Sequence, residues 1–276
     1  MNTRPGHFSD LRTRLLSAAV LGGLALSLLW LGGGWSAALI AAIAAAMAWE
    51  WRSVTAAEGK GPGTLGVVAA MVCGGAVAIT WYLGASLGLG LLVLGAAIVA
   101  ARDLAVAHRA TALWSFAGIV LVGGASIALL ALRAMEQHGL LTALWVVIVV
   151  AATDTGGYFA GRMIGGPKLW PSVSPKKTWA GLGGGIALAF ASGGLFSWAT
   201  TGTYYHEVCT VSAVAALLAQ SGDLAQSAMK RRFGVKDAGS IIPGHGGALD
   251  RFDGLMAATL VAAAVTFWRG KTVFIW

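Results

Sequence analysis

The chain has 276 residues, of which 57% are hydrophobic and only 11% charged, and its formal net charge is +8. Soluble domains average about 25% charged residues, so this composition excludes an ordinary soluble enzyme. Forty glycines and a mean hydropathy of +0.76 are typical of helices that pack closely in lipid. The composition therefore predicts an all-α fold, a polytopic transmembrane helical bundle.

Nine apolar segments are long enough to cross a bilayer, which takes roughly 17 to 25 residues. The predicted spans are 14–32, 34–50, 64–82, 85–101, 111–132, 140–158, 180–200, 207–226 and 252–269. With the N-terminus in the cytoplasm, all of the 19 lysines and arginines except Arg133, Arg269 and Lys271 lie on the cytoplasmic side. Basic loops stay at the cytoplasmic face, so the count predicts this orientation and explains the charge without a nucleic-acid partner.

The polar residues are unevenly distributed along the chain. Residues 1–150 are predicted to be transmembrane helices with short loops, and residues 151–276 a transmembrane catalytic region within one integrated membrane domain. In the second region they form three clusters, which the predicted orientation places on the cytoplasmic face. The clusters are "TDTGGYFAGRMIGG" with Asp154, Tyr158 and Arg162; "PKLWPSVSPKKTWAG" with Ser174, Lys176, Lys177 and Thr178; and "SGDLAQS" continuing through "SAMKRRFGVKDAGSIIPGHGGALDRFD".

The third cluster contains acids at the ends of two predicted spans. Asp223 lies near the end of the eighth span, and Asp250 and Asp253 lie where the ninth begins. An acid at this depth needs a partner, so Asp223 either pairs with a residue such as Lys230 or binds a metal. If the two spans are neighbours, the carboxylates converge, and oxygen ligands of this kind suit Mg²⁺.

The loop between these spans has the features of an anion-binding segment. Gly246 and Gly247 leave their backbone amides open to an anion, and His245 lies beside them. Lys230, Arg231 and Lys236 can neutralise phosphates, although cytoplasmic loops are basic in any case. The segment "SPKKT", immediately before a span, is a second anion-binding candidate. Together the clusters predict a site for a metal-bound polyphosphate.

The spacing of the polar residues from Ser227 to Asp253 resembles the signature of the phosphatidate cytidylyltransferases. The segments around Asp154 to Arg162, "SPKKTW" and "SGDL" are also similar to that family. The resemblance implies an integral membrane enzyme, with a cytoplasmic active site and Mg²⁺ as cofactor, that converts CTP and phosphatidate to CDP-diacylglycerol and pyrophosphate. It also implies a bacterial inner membrane protein in contact with membrane lipids.

The resemblance assigns roles to individual residues. Asp223 and Asp250 match metal-binding acids, and we expect them to act in catalysis with Lys230, Arg231 and His245. The predicted substrate-binding residues are Asp154, Tyr158, Arg162, Ser174, Lys176, Lys177, Thr178, Lys236, Asp237, Gly246, Gly247, Arg251 and Asp253. Three positions depart from the usual pattern: Ala180 and Gln226 stand where glutamates are common, and Ala248 replaces a larger apolar residue.

Several alternatives remain open at the level of sequence. Another CTP-dependent lipid enzyme, such as a polyprenol kinase or an enzyme of CDP-activated ether lipids, would share the phosphate chemistry. A cation-coupled transporter using Asp154 and Asp223 is disfavoured because the polar residues cluster on one face. The two missing glutamates also leave room for an inactive homologue. The site could hold one divalent ion, two, or an assisting monovalent cation, and the glycine spacing fits a homodimer as well as packing within one subunit.

Overall fold

The computed structural model describes residues 7–56, 61–106, 109–202, 205–242 and 246–275. These residues form nine helices and one small hairpin. The elements are α1 (His7–Leu31), α2 (Gly33–Thr55), α3 (Gly63–Leu83), α4 (Ala85–Val106), α5 (Arg109–Arg133), α6 (Gly139–Met163), β1 (Lys168–Trp170), β2 (Ser174–Thr178), α7 (Trp179–Thr201), α8 (Tyr205–Arg232) and α9 (Leu249–Arg269).

The helices confirm the predicted all-α membrane bundle. Each predicted span lies within one helix, except that the first, 14–32, ends one residue beyond α1. Among the described residues, eight helices are long and apolar enough to cross a membrane. For α1, the described apolar part is the shorter stretch Ala19–Leu31. Several helices extend past the predicted spans, and among them α6 continues to Met163 and α8 to Arg232. These extensions place Arg162 and Lys230 on helices rather than in loops.

The antiparallel hairpin of β1 and β2 was missed by the sequence analysis. Lys168 pairs with Thr178, and Trp170 pairs with Ser174. At the end of β2, Thr178 caps α7 by accepting a hydrogen bond from the Gly181 amide at 3.0 Å. The hairpin thus holds "SPKK" as an ordered strand directly before α7.

The apolar core has two parts that share α9. One lies among α2, α3, α4 and α5 and includes Leu249 and Met256 of α9. The other lies among α6, α7, α8 and α9 and includes Ala258 and Ala262. Because α9 packs against α2, α5, α6 and α8, its N-terminal turn lies where the two parts meet. The turn that carries Asp250 and Asp253 therefore packs against helices from both halves of the chain.

Helices α6 and α7 approach each other closely through glycines. A Cβ atom on Gly156 would lie 2.5 Å from the carbonyl oxygen of Gly184, and one on Gly184 would lie 2.9 Å from that of Gly156. Small residues at a helix contact allow this approach within a membrane. It brings the polar end of α6 against the start of α7.

A buried ion pair joins three helices of the first core. Arg52 of α2 donates to Asp103 of α4 at 2.8 Å and to Ser115 of α5 at 2.7 Å. Arg52 is 4% exposed and Asp103 2%, so neither charge could remain there without the other. The sequence analysis treats Arg52 as one of the cytoplasmic loop charges that predict the orientation, whereas in the structure it is buried inside the bundle. The predicted orientation itself stays a prediction.

Candidate active site

The main polar cavity lies among α6, β2, α7 and α8 and has a volume of about 430 Å³. Six residues that the sequence analysis assigned to substrate binding line it together: Asp154, Tyr158, Arg162, Lys176, Lys177 and Thr178. The three residues from α6 are spaced four apart and so share one face of the helix. Gly157, Gly161 and Gly181 also line the cavity, which keeps the space between α6 and α7 open.

Lys177 connects the hairpin to α8. Its Nζ lies 2.6 Å from Oδ2 of Asp223 and 3.5 Å from the carbonyl oxygen of Gln220. Asp223 also accepts a weaker hydrogen bond from Ser227 at 3.3 Å. Lys230 is one possible partner of Asp223 in the sequence analysis, beside a metal ion, whereas in the structure the partner is Lys177. A lysine predicted to bind substrate and an acid predicted to bind metal thus neutralise each other.

Lys230 instead pairs with the first acid of α9. Its Nζ lies 2.6 Å from Oδ1 of Asp250, whose Oδ2 accepts the backbone amide of Ala238 at 2.9 Å. Both carboxylate oxygens of Asp250 are therefore engaged. This arrangement ties the end of α8 and the loop after it to the start of α9.

The acids of the two clusters are close enough to act on one another. Asp223 repels both Asp154 and Asp253, and Asp154 and Asp253 repel each other. Lys177 and Arg251 attract Asp154, and Lys230 attracts Asp253. The cavity and the start of α9 thus carry acids from three helices, α6, α8 and α9.

Glu50 is a site residue that the sequence analysis did not identify. It extends from α2 into the loop before α9, is 1% exposed, and accepts the amide of Leu249 at 2.7 Å through Oε2. A Cβ on Gly247 would lie 2.7 Å from this oxygen, and Gly239 lies against Oε1. A signal was available, because a carboxylate at the end of an apolar span is costly and is usually functional.

The other predicted residues have different surroundings. Arg231, Lys236 and Asp237 are exposed and are not among the described residues that line the main cavity. Ser174 lies in β2, paired with Trp170, and Gly246, at φ 88°, pairs with Ile242. His245 falls outside the described residues, so its predicted role stays a prediction.

The described residues offer suitable ligands for a divalent cation. They contain no group of three or more His, Cys, Asp and Glu side chains already arranged around a metal position. However, Asp154, Asp223 and Asp253 repel one another, and a divalent cation would relieve this repulsion. Mg²⁺ commonly takes only one or two carboxylates and completes its shell with water and phosphate oxygens. The donor set therefore fits Mg²⁺.

The positions that depart from the signature lie around the site. Gln226 of α8 is 4% exposed, and its Oε1 has no partner among the described residues. It lines an apolar cavity that also includes Asp253, so a glutamate there would add a charge close to that acid. Ala180 is half-buried in the first turn of α7, and Ala248 is buried immediately before α9.

The fold and the site define an integral membrane protein with a polar cavity, lined by basic and acidic side chains, that reaches into the bundle. Residues 12–268 match the cytidylyltransferase family, and the chain belongs to this family. It is 39% identical over 250 residues to the phosphatidate cytidylyltransferase of Brucella suis biovar 1 (strain 1330), with 91% of each chain covered. These findings confirm the resemblance seen in the sequence.

Shorter matches connect the chain to two other bacterial enzymes. It is 40% identical over 126 residues to the phosphatidate cytidylyltransferase of Bacillus subtilis (strain 168), covering 45% of this chain and 47% of the relative. It is 42% identical over 130 residues to that of Staphylococcus aureus (strain COL), covering 44% and 47%.

Proposed function

We propose that this protein transfers the cytidylyl group of CTP to phosphatidate, giving CDP-diacylglycerol and pyrophosphate. The observation that carries the proposal is the cavity among α6, β2, α7 and α8, where Arg162, Lys176 and Lys177 line the same space as Asp154. Lys177 also pairs there with Asp223 of α8. Cations of this kind bind a polyphosphate, and the acids suit its divalent counter-ion. The curated relatives, which are phosphatidate cytidylyltransferases, support the same reaction.

The polar cavity among α6, β2, α7 and α8 is proposed as the binding site for the CTP phosphates, and we call it the phosphate cavity. Lys176 is exposed at its rim, and Arg162 lies on the facing helix. The N-terminal turn of α7, capped by Thr178, also borders the cavity, and the positive end of its dipole favours an anion. Lys177 can exchange Asp223 for a phosphate oxygen, which would free the carboxylate as the nucleotide binds.

The reaction requires alignment more than proton transfer. A phosphate oxygen of phosphatidate attacks the α-phosphorus of CTP, and the bond from that phosphorus to the bridging oxygen of the β-phosphate breaks. The attacking monoester is already largely dianionic at neutral pH, so the main obstacle is the approach of two anions. The basic residues of the site would lower this barrier by neutralising and orienting both substrates.

The proposed Mg²⁺ ligands are Asp223 and Asp250, with Asp154 and Asp253 close to Asp223. When bound, Mg²⁺ supplies positive charge that stabilises the polyphosphate in the transition state. Asp250 is held by Lys230 at 2.6 Å, and its carboxylate oxygens keep further lone pairs with which they could ligate a cation.

The active site is proposed to face the cytoplasm at a bacterial inner membrane. The support is the distribution of basic residues along the chain and the bacterial origin of the relatives. CTP is a cytoplasmic nucleotide, whereas the lipid substrate lies in the bilayer. A site at the cytoplasmic ends of the helices would reach both substrates.

Pyrophosphate release in detergent micelles tests the reaction. The purified protein should release pyrophosphate only when CTP, phosphatidate and Mg²⁺ are all present. Asp223→Asn should lower kcat by roughly 10²- to 10³-fold, because a charge that stabilises the transition state is lost. Glu136→Gln, an exposed acid in the α5–α6 connection, is the control and should match the unmodified protein.

Three results would contradict parts of the proposal. Release of CDP in place of pyrophosphate would identify a kinase. Release with another lipid acceptor but not with phosphatidate would change the substrate. Full turnover in Asp223→Asn would remove the proposed role of this acid.

A further inference from the structure

A second cavity, separate from the phosphate cavity, is almost entirely apolar. It has a volume of about 380 Å³ and lies among α1, α2, α5, α6 and α9. Gly22, Ala25, Leu26 and Leu29 form its α1 wall; their spacing places them on one face of that helix. We call this cavity the α1 groove.

One end of the α1 groove lies at the start of α9. Its lining includes Ser17, Ile242 and Arg251, and Arg251 directly follows Asp250, which pairs with Lys230 at 2.6 Å. Arg251 therefore borders the groove from the same helical turn that carries Asp250. A molecule lying in the groove would have its polar end at Arg251.

The groove runs from the site toward the middle of the membrane. Val147 lines it and lies on α6 seven residues before Asp154, which is two helical turns or about 10 Å deeper. Along α1, the lining extends from Ser17 to Leu29, a rise of about 18 Å. One leaflet of the hydrocarbon core is about 15 Å thick, so the groove has the length of a lipid tail.

The groove is open on its α1 side to the surrounding lipid. Leu21 and Leu26, which line it, are 42% and 48% exposed. The far end of α1 is held in place by Arg133, which donates to the carbonyl oxygens of Leu29 and Trp30 at 2.7 and 3.0 Å. A lipid could therefore enter sideways past an anchored helix.

Charge distinguishes this groove from another apolar cavity beside α9. That cavity lies near Trp51, Trp114 and Met229, and its described lining includes Asp253. An acid in the lining repels a lipid phosphate, whereas Arg251 attracts one and can bind it through two donors. The α1 groove is therefore the better site for an anionic lipid.

We propose that the α1 groove binds an acyl chain of the phosphatidate substrate, with Arg251 on its phosphate, and this inference rests on the proposed function. Lipid tails are as apolar as the groove, so the chain gains little hydrophobic free energy on entering it. The groove instead orients the lipid so that its phosphate lies against the site occupied by CTP. Blocking the groove should lower kcat/KM more for long-chain phosphatidate than for short-chain phosphatidate.

Two adjacent glycines provide a matched test. Gly22 lines the groove and Gly23 does not, and a Cβ on either would meet nothing within 4 Å. Gly22→Trp should lower kcat/KM for dipalmitoyl phosphatidate by about 10- to 100-fold, as expected for a misplaced reactant. Gly23→Trp should leave it unchanged. With dihexanoyl phosphatidate, whose tails end near the depth of Gly22, the two variants should differ less than about threefold.

The KM for CTP and the thermal unfolding temperature are measured for both variants. If Gly22→Trp does not fold, Ala25→Phe on the same face replaces it. Equal kinetics of the groove variant and Gly23→Trp with the long-chain lipid would overturn the proposal. An equal loss of kcat/KM for both lipids would also overturn it. Loss of a dimer in Gly22→Trp without a kinetic change would overturn it too and would identify the groove as a subunit interface. If the unmodified protein releases no pyrophosphate with either lipid, the proposed function itself fails.

Discussion

Among single residues, Glu50 shows how the N-terminal half of the bundle contributes to a site formed mainly by the C-terminal half. Its carboxylate accepts the amide of Leu249, directly before Asp250, and lies against Gly239 and Gly247. Glu50 is not among the described residues that line the phosphate cavity. We therefore interpret Glu50 as a positioning residue for the loop and for the start of α9.

Removing this carboxylate should impair catalysis more than nucleotide binding. Glu50→Ala leaves the buried Leu249 amide without its acceptor, at a cost of about 1–3 kcal/mol in the free energy of unfolding. The start of α9 would move, and we expect kcat to fall about 10- to 100-fold while the KM for CTP changes little. Steady-state kinetics and thermal unfolding in the same detergent measure both effects.

The conservative variant separates positioning from general stability. Glu50→Gln retains a carbonyl oxygen that can accept the Leu249 amide, so it should recover most of the kcat lost in Glu50→Ala. If the two variants have the same kcat, or if the KM for CTP rises as much as kcat falls, the positioning role is wrong.

Among the elements, the contact of α6 with α7 determines the width of the phosphate cavity. Asp154, Tyr158 and Arg162 lie on one helix, and Lys176, Lys177 and Thr178 precede the other. The glycines at the contact let the backbones approach more closely than any larger residue would allow. The distance between the two sets of side chains therefore depends on the absence of a Cβ atom at these glycines.

A methyl group at Gly184 should widen this contact. A Cβ there would overlap that of Ala160 and lie 2.9 Å from the carbonyl oxygen of Gly156. Overpacking of this kind costs about 1–3 kcal/mol in stability, and we expect Gly184→Ala to raise the KM for CTP. Enzyme kinetics with varied CTP and thermal unfolding measure the two changes.

Gly183 is the matched control for this experiment. It is the preceding residue of the same helix, and a Cβ on it would meet nothing within 4 Å. Gly183→Ala should keep the KM for CTP and be as stable as the unmodified protein or more so, since alanine favours the helix. Identical behaviour of the two alanine variants would show that the α6–α7 contact does not set the cavity width.

For the whole molecule, the main question is which side of the membrane the site faces. Ser172 is exposed in the turn between β1 and β2, beside the phosphate cavity, and Glu136 is exposed between α5 and α6. Glu136 precedes the N-terminal end of α6, and Ser172 follows its C-terminal end. Basic residues on the Ser172 side predict that it is cytoplasmic.

Cysteine labelling tests this orientation. Cys73 and Cys209 are buried and can be replaced by alanine, after which Ser172→Cys or Glu136→Cys supplies one exposed thiol. A membrane-impermeant thiol reagent should label Ser172→Cys in inverted vesicles and not in right-side-out vesicles, and Glu136→Cys should show the opposite. The reverse pattern, in variants that retain pyrophosphate release, would refute the cytoplasmic site.

Much of the bundle was predictable because spanning helices follow from local composition. A helix in lipid satisfies its own backbone hydrogen bonds, so a long apolar run is enough to locate it. The predicted 85–101 and 111–132, for example, lie within α4 and α5. The helix ends were harder to predict, because charged residues such as Arg162 and Lys230 are typical of loops, whereas both lie on helices in the structure.

The sequence by itself determined the membrane class, the family signature and the polar residues that line the phosphate cavity, since these depend on residue type and spacing along the chain. Only the tertiary structure decided that Lys177 pairs with Asp223 and Lys230 with Asp250, that Glu50 supports the start of α9, and that Arg251 lines the α1 groove. The physical reason is that a charge in a membrane protein takes whichever partner the packing of distant helices brings within reach, and sequence separation does not reveal that choice.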